Sequence, residues 1–406
     1  MPGMPPCPVS RHRSSEISKK RSVICFSHLR WNFVFQRPQH LLSRAAKQFN
    51  VLYFEEPVFD DNCRAHLDVR DTREGVTVIT PVLPSGLRSA ECVMTQRRLL
   101  NMLIESRASK LSIAWYYTPM ALQFSSHLEF DCVLYDCMDE HSNFKGAHAN
   151  LRELEAELFA RADIAFTEGH ALYEAKKNKH ANIHAFPSRI ERLHFAKARN
   201  KKLFPDPADQ INIASPRIGF FGVIDERTDL ELLKNIAEQR PAYQFIILGP
   251  VVKIDLSSLP QLPNIHFLGQ KEYRELPVYL AHWDVGFMPF SINDATRFIS
   301  PTKTPEFLAA GLPVVSPPVL DVVQSWGKPG PVSIAHDVET MCTEIDRALM
   351  VDHSPWLKRV DQVPATMSWD ITFGEMLTVI NKTLQNSCCI CLRDFSKRRR
   401  VACLIG

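Results

Sequence analysis

Arg297-Phe-Ile-Ser-Pro-Thr-Lys-Thr-Pro-Glu-Phe-Leu-Ala-Ala-Gly-Leu-Pro-Val-Val-Ser316 reads as a basic loop, a short helix and a buried strand in quick succession. Ser300 and Thr302 stand where caps belong, Pro305 suits the first turn, and Gly311 followed by Pro313 ends the helix before the Val-Val strand. Lys303 then falls near the positive end of the helix. Unpaired N–H groups and the macrodipole favour a phosphate there, and a lysine adds a full charge. Glu306 lies one turn further on, unable to bind phosphate but suited to accept hydrogen bonds from paired sugar hydroxyls. The stretch is read as a diphosphate site; the other reading is a spaced charge pair facing solvent.

Outward from this stretch, helix-length segments alternate with short β-branched or aromatic runs. Strands are expected at 23–27, 51–55, 76–79, 112–117, 132–136, 163–167 and 183–186, and helices at 38–49, 95–106, 151–162 and 170–179. After a polar, Lys- and Pro-containing interval the pattern restarts, with strands at 217–224, 244–248, 265–268, 285–289 and 314–316. Helices are expected at 229–239, 274–282, around Glu306, and at 338–350. The expected division is a disordered basic tail over 1–21, a Rossmann-like unit over 22–195, a linker over 196–215 and a second Rossmann-like unit over 216–365. A closing helix over 366–385 and a Cys-rich basic tail over 386–406 complete it. The fold class is α/β, two doubly wound domains facing a cleft, with ligands beyond the carboxyl ends of the strands.

The chain has 406 residues, 45% hydrophobic and 23% charged, which suits two globular domains. A formal net charge of +3 does not suggest a nucleic-acid binder. No run approaches the about 18 apolar residues of a spanning helix. The basic N-terminal stretch is followed by a short apolar run at 23–26, too short for a secretory signal, so a cytoplasmic protein is expected. Eleven cysteines are scattered, several inside strand patterns such as Cys25 and Cys132, as expected of reduced thiols. Cys388 and Cys391 form one Cys-x-x-Cys with no second pair to complete four ligands, so no metal is expected.

Glu306 and Gly311 keep the spacing of a Glu-Ala-x-Ala-x-Gly-x-Pro-Val run. That run resembles the nucleotide-sugar loop of GT-B-fold glycosyltransferases, where the carboxylate holds the nucleotide ribose. A second glutamate commonly stands eight residues earlier in that family, near the transferred sugar; Phe298 stands there in this chain. The variant Ser-Pro-x-Lys-x-x-Glu is similar to that of bacterial exopolysaccharide and cell-wall glycosyltransferases. Gln36-Arg-Pro-Gln-His40 and Phe54-Glu-Glu-Pro57 resemble one bacterial subgroup. The resemblance covers the segment 22–385. It implies an acceptor domain over 22–195 and a nucleotide-sugar domain over 216–365.

Site residues follow from strand ends and from the resemblance together. On the donor side are Arg227, Lys253, Ser300, Lys303, Thr304 and Glu306; on the acceptor or sugar side are Arg30, Gln36, Arg37 and His40. Arg227 is the best supported of the basic residues; each could alone be a solvated surface charge, Lys253 equally so, and His40 is equally readable as an ordinary helix-N-terminal histidine. Transfer with inversion needs a base near the anomeric carbon, and Tyr135-Asp-Cys-Met-Asp-Glu140 offers Asp136 and Asp139, the latter also readable as a helix cap. No Gly-x-Gly-x-x-Gly, no Gly-Lys-Ser/Thr and no Asp-x-Asp occurs, which argues against dehydrogenases, P-loop kinases and metal-carried diphosphates.

The resemblance implies a metal-independent, hexosyltransferase-like enzyme. A nucleotide-diphosphate sugar is its co-substrate, with no further cofactor, and a polysaccharide, glycolipid or related lipid-linked acceptor of the bacterial cell envelope receives the sugar. The basic cluster at 397–400 would give weak attraction to an anionic membrane at its inner face. Two rival readings stand beside it. A nucleotide-sugar epimerase would release an altered sugar without any acceptor, and a catalytically silent nucleotide-sugar-binding subunit would show no donor hydrolysis.

Overall fold

β1 (Ser22–Phe26) is buried at every position, and its side chains alternate between two cores: Val23 and Cys25 face one, Ile24 and Phe26 the other. A strand covered on both faces belongs at the centre of a parallel sheet. It pairs in parallel with β2 (Asn50–Phe54) on one side and β6 (Leu111–Tyr116) on the other. Outward from β2 come β5 (Val76–Pro84) and β3 (Val58–Asp60), and outward from β6 come β7 (Cys132–Cys137), β8 (Ile164–Thr167) and β9 (Ile183–Ala185). β4 (His66–Asp71) adds antiparallel to β5. The computed structural model describes residues 20–402 apart from 108–110, 144–146, 295, 328–329 and 363–367, and without the side chains of 141 and 387–402. Most of the tail expected over 1–21 therefore lies outside the described residues.

The second sheet is parallel throughout, in the order β12 (Ile265–Gly269), β11 (Gln244–Leu248), β10 (Arg217–Phe221), β13 (Val285–Phe287), β14 (Val314–Ser316) and β15 (Val332–Ile334). In both sheets the first strand is central and the chain builds first to one side and then to the other. The crevice of such a sheet opens beyond the carboxyl end of that strand, where the strand order reverses. The loops after β1 and β10 are thereby placed at the two crevices.

A closing helix, Trp369–Ala402, returns to the first sheet. Trp369, Phe373, Met376, Ile380 and Leu384 recur at helical spacing, and all join the core formed by Val23, Cys25, Tyr53 and Trp115. This helix runs unbroken to Ala402, so the segment expected as a Cys-rich basic tail is helical in backbone as far as that residue; the Cys388–Cys391 side chains lie outside the described ones. The interval 196–215, expected as a linker, has local structure. It carries 3₁₀ turns at Lys197–Arg199 and Lys201–Leu203.

Several elements escaped the sequence pattern. His-Leu-Asp-Val-Arg-Asp of β4 and the three exposed residues of β3 sit at a sheet edge, where burial does not impose an apolar run. β15 and the helices Leu320–Trp326 and His353–Asp361 are short, with too few turns to show a period.

Candidate functional site

The helix after β13 spans Lys303–Ala310 and is buried from Thr304 to Ala310. Gly311 ends it at φ 87°, a left-handed conformation that favours glycine, and the Arg199 guanidinium covers its last carbonyls through Ala309 O (2.7 Å) and Leu308 O (3.3 Å). At the other end the expected caps are not made. Thr302 at the N-cap has helical backbone angles, and its side chain accepts no backbone N–H of the helix. Ser300 packs instead against Gly169 of the first half. Thr304 is fully buried, so it does not face a ligand as expected, and its hydroxyl has no hydrogen-bond partner among the described residues.

Lys303 Nζ lies 2.8 Å from Glu306 Oε2, 3.3 Å from Thr302 Oγ1 and 4.5 Å over the ring of Phe221. Glu306 is 4% exposed; burial pushes its carboxyl upward while Lys303 pulls it down. A buried carboxylate and a partly exposed lysine thus pair beside a cavity and are not charges on a solvated face. That cavity, about 700 Å³, lies between the halves. Trp31–Phe35 wall it from the first sheet with the β4–β5 turn; Gly222, Leu248–Pro250, Gln270–Arg274 and Lys303 wall it from the second. Gln270 Nε2 donates to Phe33 O, and Phe35 stacks on Tyr273 at 4.8 Å, so the aromatic loop after β1 reaches across the seam. A second cavity of the same volume lies behind the helix, lined by Leu308, Trp326 and Trp369 among others, and holds none of the expected site residues.

Arg227 follows β10 as expected and lies at the seam, but its guanidinium already embraces Asp225, at 2.7 Å from Oδ2 and 3.0 Å from Oδ1. Asp139 and Glu168 of the first half strengthen its hold on its proton, against burial, which works the other way. Lys253, at φ 60°, does not line the cavity; its charge acts on Glu56, whose carboxyl burial raises.

The first-half residues turn out differently. Asp136 is 0% exposed and accepts from Arg37 Nε at 3.0 Å and Nη2 at 2.9 Å, while Arg37 Nη1 donates to Phe186 O at 2.7 Å. Asp136 is therefore not an accessible base, and Arg37 is not a ligand donor: together they tie the helix Arg37–Ala45 to the ends of β7 and β9. Arg30 donates to Glu55 Oε2 (3.3 Å), Glu56 O and Pro57 O, fixing the loop after β1 to the end of β2. Gln36 occupies the helix N-cap, its N–H accepted by Gln39 Oε1 at 3.1 Å.

His40 is 3% exposed and stacked 4.7 Å from Trp369. Burial drives its pKa down to about 4, so it is neutral near pH 7 and lies inside, not toward a ligand. Its Nδ1 stands 3.6 Å from Glu191 Oε1, too long for a hydrogen bond. Asp139 keeps the expected place: half-buried in the loop after β7, near Arg227.

Sequence reasoning missed three features of the seam. Glu168 ends β8 beside these charges, and the strand-end argument that picked Asp136 would have found it. At Gly169 a Cβ would collide with Asp321 Oδ2 and lie 2.9 Å from Ser300 Cβ, so only glycine lets the halves meet there. Phe298 packs against the first half's core and shares a cavity wall with Phe159; no local signal distinguishes that from a surface aromatic.

No profile of a known protein family matches the chain. Over 217 residues it is 28% identical to "Putative teichuronic acid biosynthesis glycosyltransferase TuaH" of Bacillus subtilis (strain 168), a match covering 50% of this chain and 54% of that relative. The chain thus spans about half the length of the curated relative it matches. Among solved structures, sucrose-phosphate synthase from Thermosynechococcus elongatus superposes with a TM-score of 0.67 at 14% identity, covering 90% of this chain and 100% of that one. A UDP-forming α,α-trehalose-phosphate synthase from Burkholderia xenovorans gives 0.64 at 13% identity, covering 91% and 99%. The catalytic domain of starch synthase IV from Arabidopsis thaliana, bound to ADP and acarbose, gives 0.61 at 10% identity, covering 90% and 100%. The architecture is the GT-B fold.

Proposed function

We propose that the chain is a glycosyltransferase that moves a sugar from a nucleotide-diphosphate sugar to a carbohydrate or lipid-linked acceptor of the bacterial envelope, without a metal. The observation that carries this reading is the Lys303–Glu306 pair at the head of a buried helix on the cavity between the two sheets. Each satisfies the other in this structure. A docking diphosphate offers Lys303 a charge-assisted partner, and release of Glu306 leaves a carboxylate for two vicinal ribose hydroxyls. Arg227, at the seam on the same sheet, supplies a second positive group for the leaving diphosphate. Asp139 is the base we assign to the acceptor hydroxyl, since Asp136 is consumed by Arg37.

Likeness to TuaH supports a polymer of the cell envelope as the acceptor. Among the described residues no helix is long and apolar enough to cross a membrane. Phe298, turned into the first half's core where a sugar-contacting carboxylate was expected, favours one rival: a nucleotide-sugar-binding subunit that does no chemistry.

Thermal-shift screening of UDP, GDP and ADP and their sugars tests the donor half, because a ligand that binds only the folded protein raises its apparent stability. At least one diphosphate should raise Tm while its nucleoside does not, and its sugar should be hydrolysed or transferred above background; a stabilised protein with no turnover would leave the silent subunit. Turnover should persist in EDTA, lysine, arginine and the helix dipole carrying the diphosphate charge. Loss restored by Mn²⁺ or Mg²⁺ would contradict that.

A further inference from the structure

Glu168 plays no part in the function proposed above, yet it stands where the halves meet. Its N–H donates to Cys137 O at 3.0 Å, and its carbonyl accepts from Ser188 N–H at 3.1 Å, so its backbone is fixed between neighbouring strand ends. Ser188 Oγ donates to carboxyl oxygen Oε1. The next residue, Gly169, is the one in contact with Ser300 and Asp321 of the second half.

Charged groups face Glu168 from each side: Arg37 from the helix Arg37–Ala45, Asp136 and Asp139 from the end of β7 and its loop, and Arg227, embraced by Asp225, from the loop after β10. Glu168, Asp136, Asp139 and Asp225 are four acids against two arginines. Burial pushes the Glu168 carboxyl up to about 7; Asp139 and Asp136 push the same way, and Arg37 and the Ser188 hydroxyl oppose them. Near neutral pH the group is therefore poised between its two forms.

A nucleotide diphosphate docking beside Arg227 would add negative charge to a cluster already rich in acids. An ionised Glu168 would repel it. A carboxylic acid would instead present an O–H, and with Oε1 occupied by Ser188 the free oxygen is Oε2. We propose that Glu168 is a member of the diphosphate site that works as a carboxylic acid: on docking it takes one proton from solvent onto Oε2 and donates that O–H to a phosphate oxygen. No bond of the ligand forms or breaks in this step. As the sugar departs and charge grows on the diphosphate, the same hydrogen bond strengthens. The inference rests on the cleft being a nucleotide-diphosphate site.

Calorimetric titration of the full chain with UDP, and with GDP and ADP, near pH 8 in two buffers of different ionisation enthalpy reads the protons taken up per ligand bound. Wild type should take up between about half and one proton, because a group with pKa about 7 is mostly ionised at that pH before binding. Glu168→Gln should abolish the uptake while still binding the diphosphate, an amide N–H replacing the acid O–H. Uptake that persists in Glu168→Gln assigns the proton elsewhere and overturns the proposal. Binding with no uptake in wild type also overturns it, leaving the diphosphate site intact. If none of the three diphosphates binds, the site reading falls and takes this inference with it. Should the Gln variant not fold, the infrared difference spectrum of wild type with and without UDP reads the same event: a gained carboxylic-acid C=O stretch is expected, and its absence overturns the proposal.

Discussion

The loops after β1 and after β13 were both expected to meet ligands, and the structure uses them in opposite ways. Behind β1, Arg30, Gln36, Arg37 and His40 are spent on the protein itself: on Glu55 and neighbouring carbonyls, on a helix cap, on Asp136 and on the face of Trp369. Behind β13, the ion pair of Lys303 is with Glu306, its other neighbours being the adjacent Thr302 hydroxyl and the Phe221 ring, and the lysine lines a cavity. Polar side chains at a strand end have two destinies. Those whose partners come from several separate elements are structural; a pair three residues apart on one helix turn, beside open space, can trade its internal bond for a ligand.

The comparison breaks most visibly if a residue behind β1 proves dispensable to the fold. Arg37→Ala leaves the Asp136 carboxylate buried without its partner and should cost about 3–5 kcal/mol in urea unfolding. Retained stability, with nucleotide binding lost instead, would put Arg37 back among the ligand contacts.

A smaller, sharper effect is expected behind β13. Lys303→Ala should weaken UDP by about 1.5–3 kcal/mol, roughly 10- to 150-fold, with uridine nearly unaffected, because only the phosphates lose a charged partner. Equal losses for UDP and uridine would mean that the helix, not a phosphate contact, had been damaged.

The smallest effect belongs to Glu306→Gln. An amide keeps one acceptor oxygen where the carboxylate has two, so preference for UDP over its 2′-deoxy form should fall by about 0.5–1.5 kcal/mol, the worth of one hydrogen bond. A wild type indifferent to the 2′-hydroxyl removes the ribose from Glu306.

The alternation of strand and helix was legible, and β11 and β14 fall at the residues the pattern named, because buried parallel strands must be apolar on both faces. The end of the helix at Gly311 was legible too, since left-handed backbone selects glycine. Its beginning was not: Ser300 and Thr302 have the chemistry of caps, but Ser300 is drawn to Gly169 in the other half of the chain. The same limit explains Asp136. Its strand end was read from neighbouring residues, whereas its partner, Arg37, lies 99 residues away. Local patterns report periodicity and backbone geometry; they carry no record of which distant side chain arrives first.

The closing helix has a consequence for how the chain comes into being. The first sheet is translated early, but one of its faces is completed by Trp369, Phe373, Met376, Ile380 and Leu384, which leave the ribosome only after the whole second sheet. Until then the nascent first half displays an apolar surface with no cover, a natural target for holdase chaperones and a hazard for aggregation. Two pieces cut at the linker would not correspond to two self-sufficient units: the first would need a peptide carrying those five residues, supplied in trans, before its core could close.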